Sequence, residues 1–294
     1  MVKLPVIDKQ LIMIKFGPSG NSNSFYESGR KYTYQEGEFL HALGLNAFEY
    51  SFGRGAYMSS EAAGQIKTEF DKYGIEVSCH APYFINFASN DEEKIAKSFG
   101  YIVSSINAIR KMGGRRVVFH AGSQGKLERQ EAFDLTHKNL IALDKLLDEA
   151  EVSDIMLFPE TMGKDVQIGN SEELVELCKI SSRFAPCFDF GHINCLMRGG
   201  LDSIQKFVNI FEYAIKHLGR QKIDNCHIHF SKIEFGAKGE VKHTTFDDPK
   251  FGPDPRHLIE AVKKLDLHPV IICESKDQMS DDALVLKQLY ERLV

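Results

Sequence analysis

Six apolar runs in this chain each end in, or carry, a histidine or a carboxylate: Val77-Ser78-Cys79-His80, Val117-Val118-Phe119-His120, Met156-Leu157-Phe158-Pro159-Glu160, Pro186-Cys187-Phe188-Asp189, Cys226-His227-Ile228-His229 and Ile271-Ile272-Cys273-Glu274. His192 follows Asp189 by three residues, just past a glycine, and His243 lies in the long stretch after the His227 run. Imidazole and carboxylate are the N and O donors that zinc and its neighbours take. The set His80, His120, Glu160, Asp189, His192, His227, His243 and Glu274 exceeds what one tetrahedral ion can use, so two or more ions sharing a carboxylate fit it better. Two ions about 3.5–4 Å apart can clamp the attacking and leaving oxygens of a phosphodiester and lower the pKa of a bound water toward ~7. The chemistry expected is therefore metal-dependent hydrolysis.

A single histidine of this kind is more often packed or solvated than a ligand. The joint placement is what distinguishes these. Asp189 and Glu274 follow apolar runs, where an unpaired buried carboxylate is strongly disfavoured, and no strand-end Arg or Lys stands beside them in the sequence. His41, His137, His217, His257 and His268 fall in helical or loop stretches and are assigned no role. His229 lies two residues past His227, so on the same side of a strand. It could be a ligand, a donor to a ligand or a residue filling the interior.

The elements that must position these groups alternate regularly. Strands are expected at Leu11–Phe16, Asn46–Phe52, Ile75–His80, Arg116–His120, Ile155–Glu160, Pro186–Phe190, Ile223–Phe230 and Val270–Glu274. Each is followed by a helical pattern, with Ser59-Ser60-Glu61, Asn90-Asp91-Glu92-Glu93 and Asn170-Ser171-Glu172-Glu173 as starts, Gly44, Gly74 and Gly219 as stops, and Pro255 in a first turn. Strands apolar on both faces, each followed by a helix, indicate a parallel sheet covered by helices. Eight such units predict a (β/α)8 TIM barrel with eight parallel strands, one domain over residues 1–294. The runner-up, an open doubly wound sheet, is weakened because no Gly-rich phosphate loop follows the first strand. In a barrel the strand ends face one rim, where active sites form. Ser231 to Asp254 is expected to be a long loop on that rim.

The chain has 294 residues, 43% of them hydrophobic, enough for a barrel-sized core. The net charge of -5, with no run of Lys or Arg, gives no basic nucleic-acid arm. Bound cations would add local positive charge that this sum omits. The six cysteines form no CxxC pair, which points to reduced buried thiols in a cytoplasmic protein. No apolar run approaches the ~18 residues of a membrane span.

These residues resemble the endonuclease IV family, the metal-dependent apurinic/apyrimidinic endonucleases among the xylose-isomerase-like barrels. The anchors are His80-Ala81-Pro82-Tyr83-Phe84-Ile85-Asn86, close to the family's H-A-x-Y-x-I-N, with His120-Ala121-Gly122-Ser123, Pro159-Glu160-Thr161, Phe188-Asp189-Phe190-Gly191-His192, His227-Ile228-His229 and Glu274-Ser275 in the family's order. The resemblance implies a monomeric, zinc-dependent hydrolase that cuts double-stranded DNA 5′ to abasic sites. It implies His80, His120 and Glu160 at one ion, Glu160, Asp189, His227 and Glu274 at a second, and His192 with His243 at a third. Glu160 and Glu274 are then the catalytic carboxylates that orient water, with Mn2+ as a further candidate ion. Tyr83 and Phe84 match positions that enter damaged DNA, and Arg54 another; Lys126, Lys164, Arg198 and Lys232 are candidate phosphate contacts.

The sequence departs from the family at the third ion. The family places an Asp two residues before the loop histidine, and here that residue is Val241. Glu240, His229 or Asp247 could substitute, or only two ions are held. Two other functions share the barrel: a sugar isomerase or epimerase with one divalent ion, and a DNA-binding homologue that has lost turnover. The excess of histidines favours the first reading over the epimerase.

Overall fold

The computed structural model describes residues 13–53 and 55–293. Leu11 and Ile12 of the expected first strand, and Arg54, lie outside the described residues. The strands are β1 (Lys15–Pro18), β2 (Ala47–Ser51), β3 (Glu76–His80), β4 (Arg116–Phe119), β5 (Met156–Pro159), β6 (Cys187–Asp189), β7 (His227–Phe230) and β8 (Val270–Cys273). Two parallel sheets form, ordered β1-β8-β7-β6 and β2-β3-β4-β5. The expected single eight-stranded ladder is thus broken at two junctions, where only isolated bridges occur: Ser19 with Glu49 between β1 and β2, and Leu157 with Phe184 and Glu160 with Cys187 beside β5 and β6. At the second junction β6 is three residues long and pairs along its whole length with β7. Backbone bonds cross both places, from Asn46 N to Phe16 O at 3.1 Å and from Thr161 N to Cys187 O at 3.0 Å.

Local chemistry explains the helices between the strands. Ser59 accepts from Ala62 N, Asp91 from Glu93 N and Lys94 N, and Asp254 from Arg256 N, each satisfying amides left open by a helix start. Asn170 and Glu173 form a reciprocal capping box. Gly44 and Gly74 end their helices in the left-handed conformation that glycine adopts without steric cost. Phe48, Val77, Val117, Leu157, Phe188, Ile228 and Ile271 project from successive strands into one cluster shared with the helices. All six cysteines are buried and unpaired, and no described helix is long and apolar enough to cross a membrane.

Two expectations change. Ile223 is not in β7: the short helix Arg220–Asp224 buries it, and β7 begins at His227. The stretch from Ser231 is not simply a loop: Ile233–Gly236 and Gly239–His243 pair as an antiparallel hairpin.

Candidate metal centre

β3, β4 and β5 deliver His80, His120 and Glu160 to one point. His80 Nε2 and His120 Nε2 each lie 3.0 Å from Glu160 Oε2, and His80 Nδ1 is fixed 2.8 Å from the carbonyl of Ala81. The other oxygen, Glu160 Oε1, faces the opposite way, 2.9 Å from His229 Nδ1 and 3.7 Å from His192 Nδ1. A single buried carboxylate therefore stands between two donor groups: His80, His120 and Glu160 on one side, Glu160, Asp189, His229 and Glu274 on the other. In each group the donor atoms lie within 4.8 Å of one another.

Asp189 ends β6 and caps the helix Phe190–Leu196. Its Oδ1 accepts from His192 N at 2.8 Å, while its Oδ2 is buried, 3.3 Å from His192 Nδ1, and among the described residues has no hydrogen-bond partner. An orphaned carboxylate oxygen is costly, and this one lies among further ligand-type atoms. A divalent ion fits that oxygen and the N/O donor set around it.

The structure does not bring the expected His227 into this group. His229, not His227, joins Glu160, Asp189 and Glu274. The register shows why: His229 pairs with Asp189, at the strand ends, whereas His227 pairs with Cys187, one layer deeper. Side chains two apart share a face but not a depth. His227 instead places Nε2 3.0 Å from Glu49 Oε2.

A third group forms where the hairpin folds over the rim. His192 Nε2 lies 3.6 Å from Glu240 Oε2, and His243 Nε2 lies 3.8 Å from Glu240 Oε1. Glu240 and His243 are three apart, which in a regular strand would put them on opposite faces. The ladder shifts here: Glu234 pairs with Lys242 but Phe235 with Glu240, so Val241 is an extra residue in a bulge. A bulge re-aims the side chains beyond it. Val241 is accordingly exposed, and Glu240 returns to the histidines. The hairpin docks through Gly239 against Gly163, with Glu240 N bonded to Gly163 O at 2.8 Å.

Electrostatics follow this geometry. Burial pushes the Glu160 carboxyl up, but His229, His120 and His80 hold it well below the usual range. Burial opposes protonation of His80 and His192, yet Glu160 raises His80 to about 9 and Asp189 with Glu160 raises His192 to about 9. Asp189 is raised, first by burial. The groups border a cavity of about 410 Å³ lined also by Tyr83, Met162, Lys164 and Gln167.

The sequence matches the xylose isomerase-like TIM barrel family over residues 38–291. The chain belongs to that family. An uncharacterised protein of Methanocaldococcus jannaschii is 33% identical over 285 residues, 96% of this chain and 98% of its own. A probable endonuclease 4 of Aster yellows witches'-broom phytoplasma is 28% identical over 202 residues, 67% of this chain and 65% of its own. An apurinic-apyrimidinic endonuclease of Caenorhabditis elegans is 26% identical over 223 residues, 72% and 54% respectively. The chain thus aligns with between 54% and 65% of the length of these two named endonucleases. Among solved structures, endonuclease IV from Thermus thermophilus superposes with a TM-score of 0.68 at 18% identity, covering 94% of this chain and 99% of that one. A D-tagatose 3-epimerase-like protein reaches 0.66 at 19%, covering 95% and 96%. Both likenesses are of fold.

In this family member Tyr83 and Phe84, in the loop after β3, are 55% and 49% exposed, their ring centroids 4.2 Å apart. Asn86 of the same motif is structural: its Oδ1 accepts from Ala88 N and Ser123 N, tying this loop to the one after β4. Of the candidate phosphate contacts, Arg198 is engaged by Asp165 and Ala237 O, and Lys232 by the carbonyls of Phe246 and Asp248. Lys164 lines the cavity 3.8 Å from Glu240, and Lys126 is exposed. Sequence reading missed Glu49, fully buried on β2, whose carboxylate bridges His227 and His229. Its one signal was a charged residue at the centre of an otherwise apolar strand.

Proposed function

We propose that this protein is a divalent-metal-dependent phosphodiesterase that cuts double-stranded DNA on the 5′ side of abasic sites. The observation that supports it most is Glu160, whose two oxygens serve two donor groups, with a third group of His192, Glu240 and His243 across the same cavity. Histidine with carboxylate suits zinc, and manganese is the alternative ion. When bound, such ions polarise a phosphodiester and neutralise the charge that develops on its oxygens. The chain's own residues hold them: His80, His120 and Glu160; Glu160, Asp189, His229 and Glu274; and His192, Glu240 and His243. Glu274 is only partly buried and can orient a water at the rim. Tyr83 and Phe84 offer aromatic surface beside the cavity to occupy the gap an abasic site leaves in the stack, where eversion costs least. Lys164 is placed to meet a phosphate.

The deciding assay is a duplex carrying one tetrahydrofuran site, incubated with protein reloaded with Zn2+, Mn2+ or Mg2+, with and without chelator. A nick 5′ to the lesion that chelator abolishes is the expected result. No metal-dependent nick under any ion removes this reading.

The fold neighbour of epimerase type supports a second reading, because Glu160, Asp189, His229 and Glu274 alone would serve a one-ion sugar epimerase. One ion per chain together with turnover of keto-sugars would favour it. Tight binding of damaged duplex without turnover would instead indicate a homologue that has lost catalysis.

A further inference from the structure

Beneath the rim, Glu49 and His227 form a second polar layer behind His229; His227 and His229 also stand with Cys187 in a deeper group of ligand-type atoms. Glu49 is fully buried on β2. Its Oε2 accepts from Ser78 Oγ at 2.9 Å on the neighbouring strand and lies 3.0 Å from His227 Nε2; its Oε1 lies 2.9 Å from His229 Nε2. His227 and His229 are fully buried too. The two histidine contacts are short but bent off the hydrogen-bond line: among the described residues, Glu49 Oε1, His227 Nε2 and His229 Nε2 have no hydrogen-bond partner. Charge, more than direction, couples them.

Proximity decides which imidazole nitrogen keeps its hydrogen once an ion takes the other. A bare nitrogen lone pair 2.9 Å from a carboxylate oxygen is repelled in a low-dielectric interior. The same repulsion acts at Nδ1, 2.9 Å from Glu160 Oε1, so without an ion both nitrogens of His229 carry a hydrogen; when an ion takes the place of the Nδ1 proton, Nε2 keeps its hydrogen against Glu49. Nδ1 is the atom that faces Glu160 Oε1 at 2.9 Å and Glu274 Oε1 at 3.6 Å. A carboxylate behind a ligating histidine fixes its tautomer and ring orientation and raises its basicity.

We propose that Glu49 is a positioning residue for the Glu160, Asp189, His229 and Glu274 group: it locks His229 as the Nε2–H tautomer, so that this ring presents Nδ1 to an ion, with Ser78 and His227 anchoring the Glu49 carboxylate from below. This rests on the reading that the group holds metal. It assigns a task to the one strand of β2 through β8 that places no ligand at the rim. It also explains why a carboxylate is kept in an apolar interior, where an unpaired charge would be strongly destabilising.

The test uses the full chain stripped of metal, as wild type, Glu49→Gln and His227→Gln. Zinc affinity is measured by competition with a chromophoric chelator, and the tautomer of His229 by long-range 1H–15N spectra of the zinc-loaded wild type. The expected results are protonated Nε2 with metal-shifted Nδ1 at His229, and a 10–100-fold weaker site in Glu49→Gln, with a smaller loss in His227→Gln. Coordination through His229 Nε2, or wild-type affinity in a folded Glu49→Gln, overturns the proposal. If Glu49→Gln does not fold, the wild-type tautomer still decides. A wild type that binds zinc with His229 in this tautomer but cuts no abasic DNA supports the positioning role while refuting the proposed activity.

Discussion

Glu160→Gln is the most informative single change, because it keeps the side chain's shape and removes only its charge. In the metal-free protein this carboxylate faces His80, His120 and His229 at 2.9–3.0 Å. Burial alone would drive His80 below its ordinary 6.5, yet Glu160 carries it to about 9. At 1.36 kcal/mol per pH unit, the step from 6.5 to about 9 corresponds to roughly 3 kcal/mol of folding stability. Because the folded value lies above the ordinary one, this contribution is complete below about pH 6.5 and is lost as the pH rises through about 9. With Gln at 160 the principal charge opposing burial is gone and only Glu49 still acts against it, so the His80 midpoint should fall well below 9. The ring proton resonance of His80, followed by NMR in stripped protein, gives the midpoint directly. Thermal unfolding should show the variant less stable than wild type by roughly 3 kcal/mol near pH 6, with the gap narrowing by pH 9.5. A His80 midpoint still near 9 in Glu160→Gln, or a gap independent of pH, refutes the assignment of Glu160 as the charge that organises these histidines. In reloaded protein the same change should weaken two ions, since both groups share this residue.

Glu240→Ala should lower the metal count by one, while deletion of the bulged Val241 should leave it unchanged because regular alternation then keeps Glu240 and His243 on one face; atomic absorption of dialysed protein reads both. A Cβ at Gly163 would stand 2.7 Å from His192 Cδ2 and 2.9 Å from Glu240 Cβ, so Gly163→Ala should loosen the third group at a stability cost of about 1–3 kcal/mol, seen in metal affinity and denaturant midpoint. Glu36 is fully buried and, among the described residues, both its oxygens lack hydrogen-bond partners; burial raises its carboxyl to about 8 against a lowering by Arg30. Its contribution is complete below about pH 4.5 and lost as the pH rises through about 8, so Glu36→Gln should flatten the fall in melting temperature between pH 5 and 9, and an unchanged slope counts against it.

The barrel strands were legible because each is apolar on both faces and is bounded by capping residues and glycines. Ser59, Asp91 and Asn170 cap the helices that their positions suggested, and Gly44 and Gly74 end theirs. What one sequence does not carry is depth and phase. His227 and His229 point the same way along one strand, and only the pairing of β6 with β7 decides which is level with Asp189. Glu240 could be named only as one of three substitutes, because the alternation rule assigns the place beside His243 to Val241 until a bulge is known. Glu49 was hidden by its neighbours, since Ala47, Phe48 and Tyr50 read as an ordinary strand and its partners lie 29 to 180 residues away along the chain. In each case the missing information is a contact between distant strands, which local propensity does not encode.

The balance of charge inside the rim leads to a last prediction. Glu49, Glu160, Asp189, Glu240 and Glu274 stand among His80, His120, His192, His227, His229 and His243, and among the described residues Lys164 is the one lysine lining the cavity. Without ions, the carboxylates are balanced by protons on imidazole, which is why His80 and His192 are each raised to about 9. A protonated imidazole nitrogen cannot ligate, so metal and proton compete for the same lone pairs. At pH 7 these two rings and His229, which the surrounding carboxylates also hold well above its ordinary value, must each give up a proton when ions enter, and zinc binding should release about three protons per chain. Calorimetry at pH 7 in buffers of different ionisation enthalpy measures that number, and the apparent affinity should climb with pH until about 9. Titrations whose heats are the same in every buffer would show that these histidines were neutral beforehand. The carboxylates would then require another source of compensation, and the donor groups could not be the proton-poised metal centre proposed for them.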